Sequence, residues 1–169
     1  MLRFALAIVA ASLLASCTSN PVPDDYHGPV ARITDSVMSH GPTSGDFFYL
    51  SKIDGRSIDE SLSATGRANY GRGLLMNPVV IGRPVPAQAS TFTIVGRTHY
   101  GAPILEMTNT VYQVSGETAF TPAPNRAYVV KGILGEKYSA VWIEDSETGE
   151  TVGRKVEAQG SAKLSFFEK

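Results

Sequence analysis

Turns recur at intervals of roughly 8 to 12 residues along most of this chain, and the runs between them are short and rich in β-branched and aromatic side chains. That spacing selects a β-sandwich or barrel over a helical fold. Phe47 to Ile53, Ser90 to Arg97, Ala127 to Leu134 and Tyr138 to Glu144 are the clearest runs. Phe92 and Ile94 share one face of the second run, because side chains alternate along a strand. Asp54-Gly55 follows Ile53 directly, a hairpin signal because both central positions of a type I′ turn need positive φ. Val30 to Met38 reads as one strand with Ile33, Asp35 and Val37 on a common face. Val79-Val80-Ile81, Ile104 to Val114 and Ala162 to Phe167 read as further strands, the last at an edge. Tyr138 to Glu144 carries apolar residues on both faces, as a central, doubly covered strand would, and places Trp142 in the core. Asp145 to Gly149 is a turn, and Glu150-Thr151-Val152 begins the return strand. The expected fold is all-β, an immunoglobulin-like or transthyretin-like sandwich of about eight strands.

The interval from Arg56 to Arg83 departs from this rhythm. Ser57-Ile58-Asp59-Glu60 has the form of a capping box opening a helical turn. Gly66 to Gly73 then sets glycines and arginines around Tyr70, and the whole interval reads as a long loop. Arg56, Arg67, Arg72, Arg83 and Arg97 face only Asp59 and Glu60 over this stretch, a local excess of three positive charges. Guanidinium groups grip carboxylates and phosphates bidentately. Arg67, Tyr70, Arg72 and Arg83 are therefore candidate contacts for a small anionic or glycan ligand, or for an acidic partner. Gly71-Arg72-Gly73 is not a phosphate loop, since no Gly-Lys-Ser/Thr follows it.

The start of the chain has a different character. Met1-Leu2-Arg3 is followed by an apolar run from Phe4 to Leu14, too short for the ~20 residues of a spanning helix and ordered like a secretory signal. Leu14-Ala15-Ser16-Cys17 resembles the lipobox of bacterial lipoproteins. The resemblance implies cleavage before Cys17 and a diacylglyceryl group on its thiol, and Thr18-Ser19 implies sorting to the outer membrane with the domain facing the periplasm. An acylated residue would hold the protein firmly to a bilayer. Cys17 is the only cysteine in the chain. The expected organisation is a signal peptide over 1–16, a lipidated, extended tether over 17–29, rich in proline, and one β domain over 30–169. Removing 16 of the 169 residues leaves 153, enough to bury a core without disulfides.

Ile53-Asp54-Gly55, Arg83 to Ala87, Tyr128 to Gly132 and Val141 to Asp145 resemble segments of small proteobacterial envelope lipoproteins, a resemblance that implies a location and no activity. A fold-level analogy runs to the tethered, transthyretin-like outer-membrane lipoprotein of type VI secretion.

Other chemistry finds little support. His27, His40 and His99 lie far apart with no second ligand at metal spacing. The acidic turn Glu144 to Glu150 lacks the order of a calcium loop. No serine sits in a G-x-S-x-G or S-x-x-K setting, so a hydrolase would need partners that meet only in space. Paired carboxylates such as Glu144-Asp145 point to opposite faces of a strand. Fifteen basic and sixteen acidic residues leave no basic footprint for nucleic acid. The expectation is a non-enzymatic envelope lipoprotein without metal or cofactor. It would contact the membrane through Cys17 and an envelope protein through its edge strands or arginine loop.

Overall fold

The computed structural model describes residues 18–169; the expected signal peptide and the lipobox, Leu14, Ala15, Ser16 and Cys17, lie outside them. Described in chain order, the strands are β1 (Val30–Thr34), β2 (Ser36–Ser39), β3 (Ser44–Ile53), β4 (Arg56–Ser57), β5 (Gly82–Pro86), β6 (Ser90–Tyr100), β7 (Gln113–Phe120), β8 (Ala127–Ile133), β9 (Tyr138–Asp145) and β10 (Thr151–Gln159). Two helices, α1 (Ser61–Asn69) and α2 (Pro103–Thr108), interrupt them. The strands form two five-stranded sheets, one in the order β10-β9-β8-β1-β5, the other β2-β3-β6-β7 with β4 paired to β3. β1 and β8 pair in parallel. The fold is thus a mainly β, two-sheet sandwich.

Val30 to Met38 is not one strand. Asp35 breaks it, so that β1 belongs to one sheet and β2 to the other. The backbone leaves the ladder where the Asp35 N–H donates to the Ile81 carbonyl at 2.9 Å, and the side chain turns inward (1% exposed).

Between the sheets lie Ile33, Phe48, Leu50, Phe92, Ile94, Val130, Val141 and Ile143. Each such side chain contributes about 1.5–3 kcal/mol through its removal from water. Phe48 reaches so close to β8 that a Cβ on Gly132 would stand 2.3 Å from its ring. The opposite face of the second sheet is covered as well. Phe47, Tyr49 and Val95 pack there with Met76 and the edge of Leu62, which makes β3 buried on both faces. Trp142, expected in the core, is instead half-buried. Its indole N–H donates to Glu144 at 2.8 Å, and the Lys155 ammonium sits 4.3 Å above its ring.

The Asp54-Gly55 turn follows the expected chemistry, with φ of 49° and 77°. Several other segments differ. Ile104 to Val114 starts as α2, because Pro103 sits in its first turn, where a missing N–H is harmless. Val79-Val80-Ile81 is not a strand; the strand is β5. Ala162 to Phe167 contributes a single bridge, Lys163 with Tyr112.

Residues 18–29 form no strand or helix, and their start is fastened to the body. The Ser19 N–H donates to the Ser57 carbonyl at 2.7 Å, and Arg56 Nη1 donates to the Asn20 carbonyl at 3.0 Å. This places Ser19 and Asn20 at one end of the sandwich, near where Asp54-Gly55 and the Thr91 region meet, the end that the expected tether would occupy. The far end is reached along β3, whose ten residues span about 33 Å. No described helix is long and apolar enough to cross a membrane.

Candidate functional site

The Arg56–Arg83 interval is organised by a polar stripe on α1. Ser61, Thr65 and Asn69 recur at every fourth position and are all buried, on one face because such residues stack along a helix. Each acts as a surrogate backbone for residues 77–81. Ser61 Oγ accepts from the Ile81 N–H at 2.8 Å, and Thr65 Oγ1 from the Val79 N–H at 2.8 Å. Asn69 takes the Asn77 N–H at 2.9 Å and donates to the Asn77 carbonyl at 2.9 Å. The helix opens at Glu60 rather than at a Ser57 capping box; the Glu60 carboxylate accepts from the N–H groups of Leu62 and Ser63.

Arg83, expected to contact a ligand, is a core residue. Its two terminal nitrogens hold the two Asp35 oxygens at 2.8 and 2.6 Å, with side-chain exposures of 4% and 0%. Asp35 also accepts from the Leu50 N–H, the Ser61 N–H and Ser61 Oγ. Arg83 Nε is buried without a partner. This hub ties β2's start, β3, α1 and β5 together. The other arginines are also occupied. Arg67 donates to Asp59 at 2.7 Å, with both side chains exposed, Arg56 holds Asn20, and Arg97 bridges Gln113 and Glu106 at 2.7 and 2.8 Å. Arg72 is exposed. The expected cluster for an anion therefore does not assemble: Arg67, Arg72 and Arg83 line no common cavity, and of the four candidates Tyr70 alone lines the cavity described next.

That cavity, of about 380 Å³, lies at the far end between α1 and α2. Met76, Pro103, Ala102 and four glycines (Gly66, Gly71, Gly73, Gly101) make its apolar walls, and Tyr70 stands at its rim. His99 and Glu106 supply its charged or ionisable side, and Thr65, Asn69 and Tyr100, whose polar groups bond Val79, Asn77 and Thr110, complete the lining. Glu106 is held ionised, its carboxyl pulled down to about 2 chiefly by the contact with His99; burial, the next largest effect, opposes this, and Arg97 adds to the lowering. His99 Nδ1 lies 3.5 Å from Glu106 Oε2, and Phe47 packs edge-on against the His99 ring at 5.8 Å. No lysine or arginine lines the cavity. Its size falls within the range of small-ligand and side-chain pockets.

A second polar cluster opens between the sheets at the same end. His40 Nε2 and Asp46 Oδ2 are 2.8 Å apart, and Thr98 Oγ1 donates to Asp46 Oδ1 at 2.7 Å. A carboxylate within reach of a histidine is one part of a hydrolytic triad, yet among the described residues no serine or threonine hydroxyl bonds either His40 or His99. No group of three metal-ligating side chains occurs among the described residues. The Asp145 carboxylate accepts from the Glu147 and Thr148 N–H groups and from Arg126, which lowers its pKa, the Glu147 N–H most of all, and commits it to closing its own turn.

The glycines and Tyr70 of the Gly66–Gly73 stretch line the cavity, whereas Arg67, Arg72 and Arg83 do not. Asp35, Glu106 and His99 carry the polar geometry, and the four-residue spacing of Ser61, Thr65 and Asn69 was the signal that a helix lay there. Compared with known proteins, the chain matches no family model, no curated protein and no solved structure.

Proposed function

We propose that this is a lipid-anchored envelope protein, acylated at Cys17, whose β-sandwich docks another envelope protein through its far end. One observation carries the reading. Eleven large apolar side chains are exposed among the described residues, and Tyr70, Leu74, Leu75, Ile104, Met107, Phe166 and Phe167 gather at the far end around α2 and the C-terminal segment. Their grouping follows from the backbone. A Cβ on Gly101, just before α2, would stand 2.3 Å from the Leu74 carbonyl oxygen. The C-terminal segment is bound there too, the Leu164 N–H to Val111 and Lys169 Nζ to the Met107 and Asn109 carbonyls. Exposed apolar side chains gathered at one end of a fold mark a candidate interaction site.

A protein suits this surface better than a bilayer, because the tether leaves from the opposite end. Arg72, Lys163 and Lys169 accompany the patch together with Glu106 and Glu168, so the complementary partner has an apolar centre with a margin of mixed charge. The sheet edges offer less. β5 carries Pro84 and Pro86, which cannot donate outward, and the ladder of β10 is irregular between Val152 and Val156.

The test is photo-crosslinking in intact cells from Leu75 and from Met107 in the full chain. Both positions are expected to give one adduct of the same mass; Leu75→Asp should abolish the adduct from the Met107 probe, and Arg67→Ala should leave both. A probe at Lys155 should give none. Different or absent adducts at the two far-end positions reject the reading. Palmitate incorporation into wild type and not into Cys17→Ala tests the anchor separately.

A further inference from the structure

We infer that the cavity between α1 and α2 is the receptor for a neutral aromatic side chain bearing a hydrogen-bond donor, tryptophan or tyrosine, presented by the docking partner; this rests on the docking reading above. Gly66 is the first observation. It lies inside α1, where glycine costs about 1 kcal/mol relative to alanine, yet neither backbone nor packing requires it. Its φ is not in the left-handed region and a Cβ would meet nothing within 4 Å. What a side chain there would occupy is the cavity that Gly66 lines. The glycine keeps open a slot where a flat group can lie against the helix backbone.

Charge selects the occupant. The walls are apolar and the polar side holds a carboxylate and an imidazole, with no cation among the lining residues. An anion would find no counter-charge. A full cation would be excessive, because Glu106 is already neutralised by Arg97 at 2.8 Å and an unpaired buried charge is costly. An aromatic ring has a positive edge, and its N–H or O–H can donate to the imidazole nitrogen that His99 does not turn to Glu106. Such buried aromatic anchors dominate the energetics of protein interfaces. The exposed Tyr70, Leu74, Leu75, Ile104 and Met107 around the opening are surface that a free small molecule would not need and a protein would cover.

The full-length protein in detergent, titrated with N-acetyltryptophanamide and followed by backbone amide NMR, tests this. Saturable shifts are expected at Gly66, Gly101 and Glu106. N-acetylphenylalaninamide, which lacks the ring donor, should bind about fivefold to tenfold more weakly, the factor for one net hydrogen bond. His99→Phe should remove that difference. Gly66→Leu should abolish the shifts while leaving the melting temperature unchanged or higher, because the added Cβ meets nothing within 4 Å and the helix exchanges a glycine for a better helix former. Shifts that persist in Gly66→Leu, or none in wild type, overturn the inference. Repeating the in-cell crosslink from Leu75 with Gly66→Leu separates the two ideas. An adduct that survives leaves docking intact and removes the cavity from it. Titration shifts without any wild-type adduct would overturn the partner as the source of the ring.

Discussion

Asp35 receives five hydrogen bonds while buried, so Asp35→Asn would leave the Arg83 guanidinium charged and uncompensated inside the protein. Breaking a buried pair in this way costs about 3–5 kcal/mol, and denaturant unfolding should show a loss of that size. Arg67→Ala removes an exposed pair with Asp59 and should change stability by less than about 1 kcal/mol. Two arginines that look alike in sequence thus differ in the same measurement. Glu106 sets an acid limb. Its carboxyl titrates near 2 in the folded protein, below its ordinary value of 4.5, so it contributes stability that is complete above pH 4.5. That contribution is lost as pH falls from 4.5 towards 2. Glu106→Gln should flatten the stability profile across that window, as read by thermal melts at stepped pH.

At the scale of elements, α1 and the 77–81 segment form one unit held by side chains. Thr65→Val keeps the shape but removes the acceptor of the part-buried Val79 N–H, a loss of about 0.5–1.5 kcal/mol, and hydrogen exchange at Val79 should quicken well before exchange in β3. Gly132→Ala pushes a methyl group into the Phe48 ring and should cost about 1–3 kcal/mol as an overpacked core does. These elements also show what could be read beforehand. β3, β6, β8, β9 and the Asp54-Gly55 turn were legible because alternation and turn chemistry are local. The switch of sheets at Asp35 was not, because Ile33, Asp35 and Val37 keep perfect alternation and only the distant Arg83 explains the turn inward. α2 was read as strand since Ile104 to Val114 is rich in Thr, Val and Tyr, and one proline at the helix start outweighed them. Of the candidate site, Tyr70 was found because glycines flank it, whereas Glu106 and His99 lie on elements whose approach depends on tertiary packing.

For the whole molecule, the tether end and the apolar end lie at opposite ends of β3. If Cys17 carries the proposed acyl group, Cys17→Ala should reduce the share of the protein in the membrane fraction, as read by fractionation of wild type and variant side by side. The bond from Ser19 to Ser57 has a geometric consequence. With Cys17 acylated, only Thr18 separates the lipid-bearing residue from the bonded Ser19, two Cα steps of at most ~7 Å in all, too little for the body to move far from the bilayer. The receiving surface would then ride at a nearly constant height of about 33 Å above the bilayer and explore its surroundings by sliding in two dimensions. Altitude as well as complementarity would decide which proteins it meets.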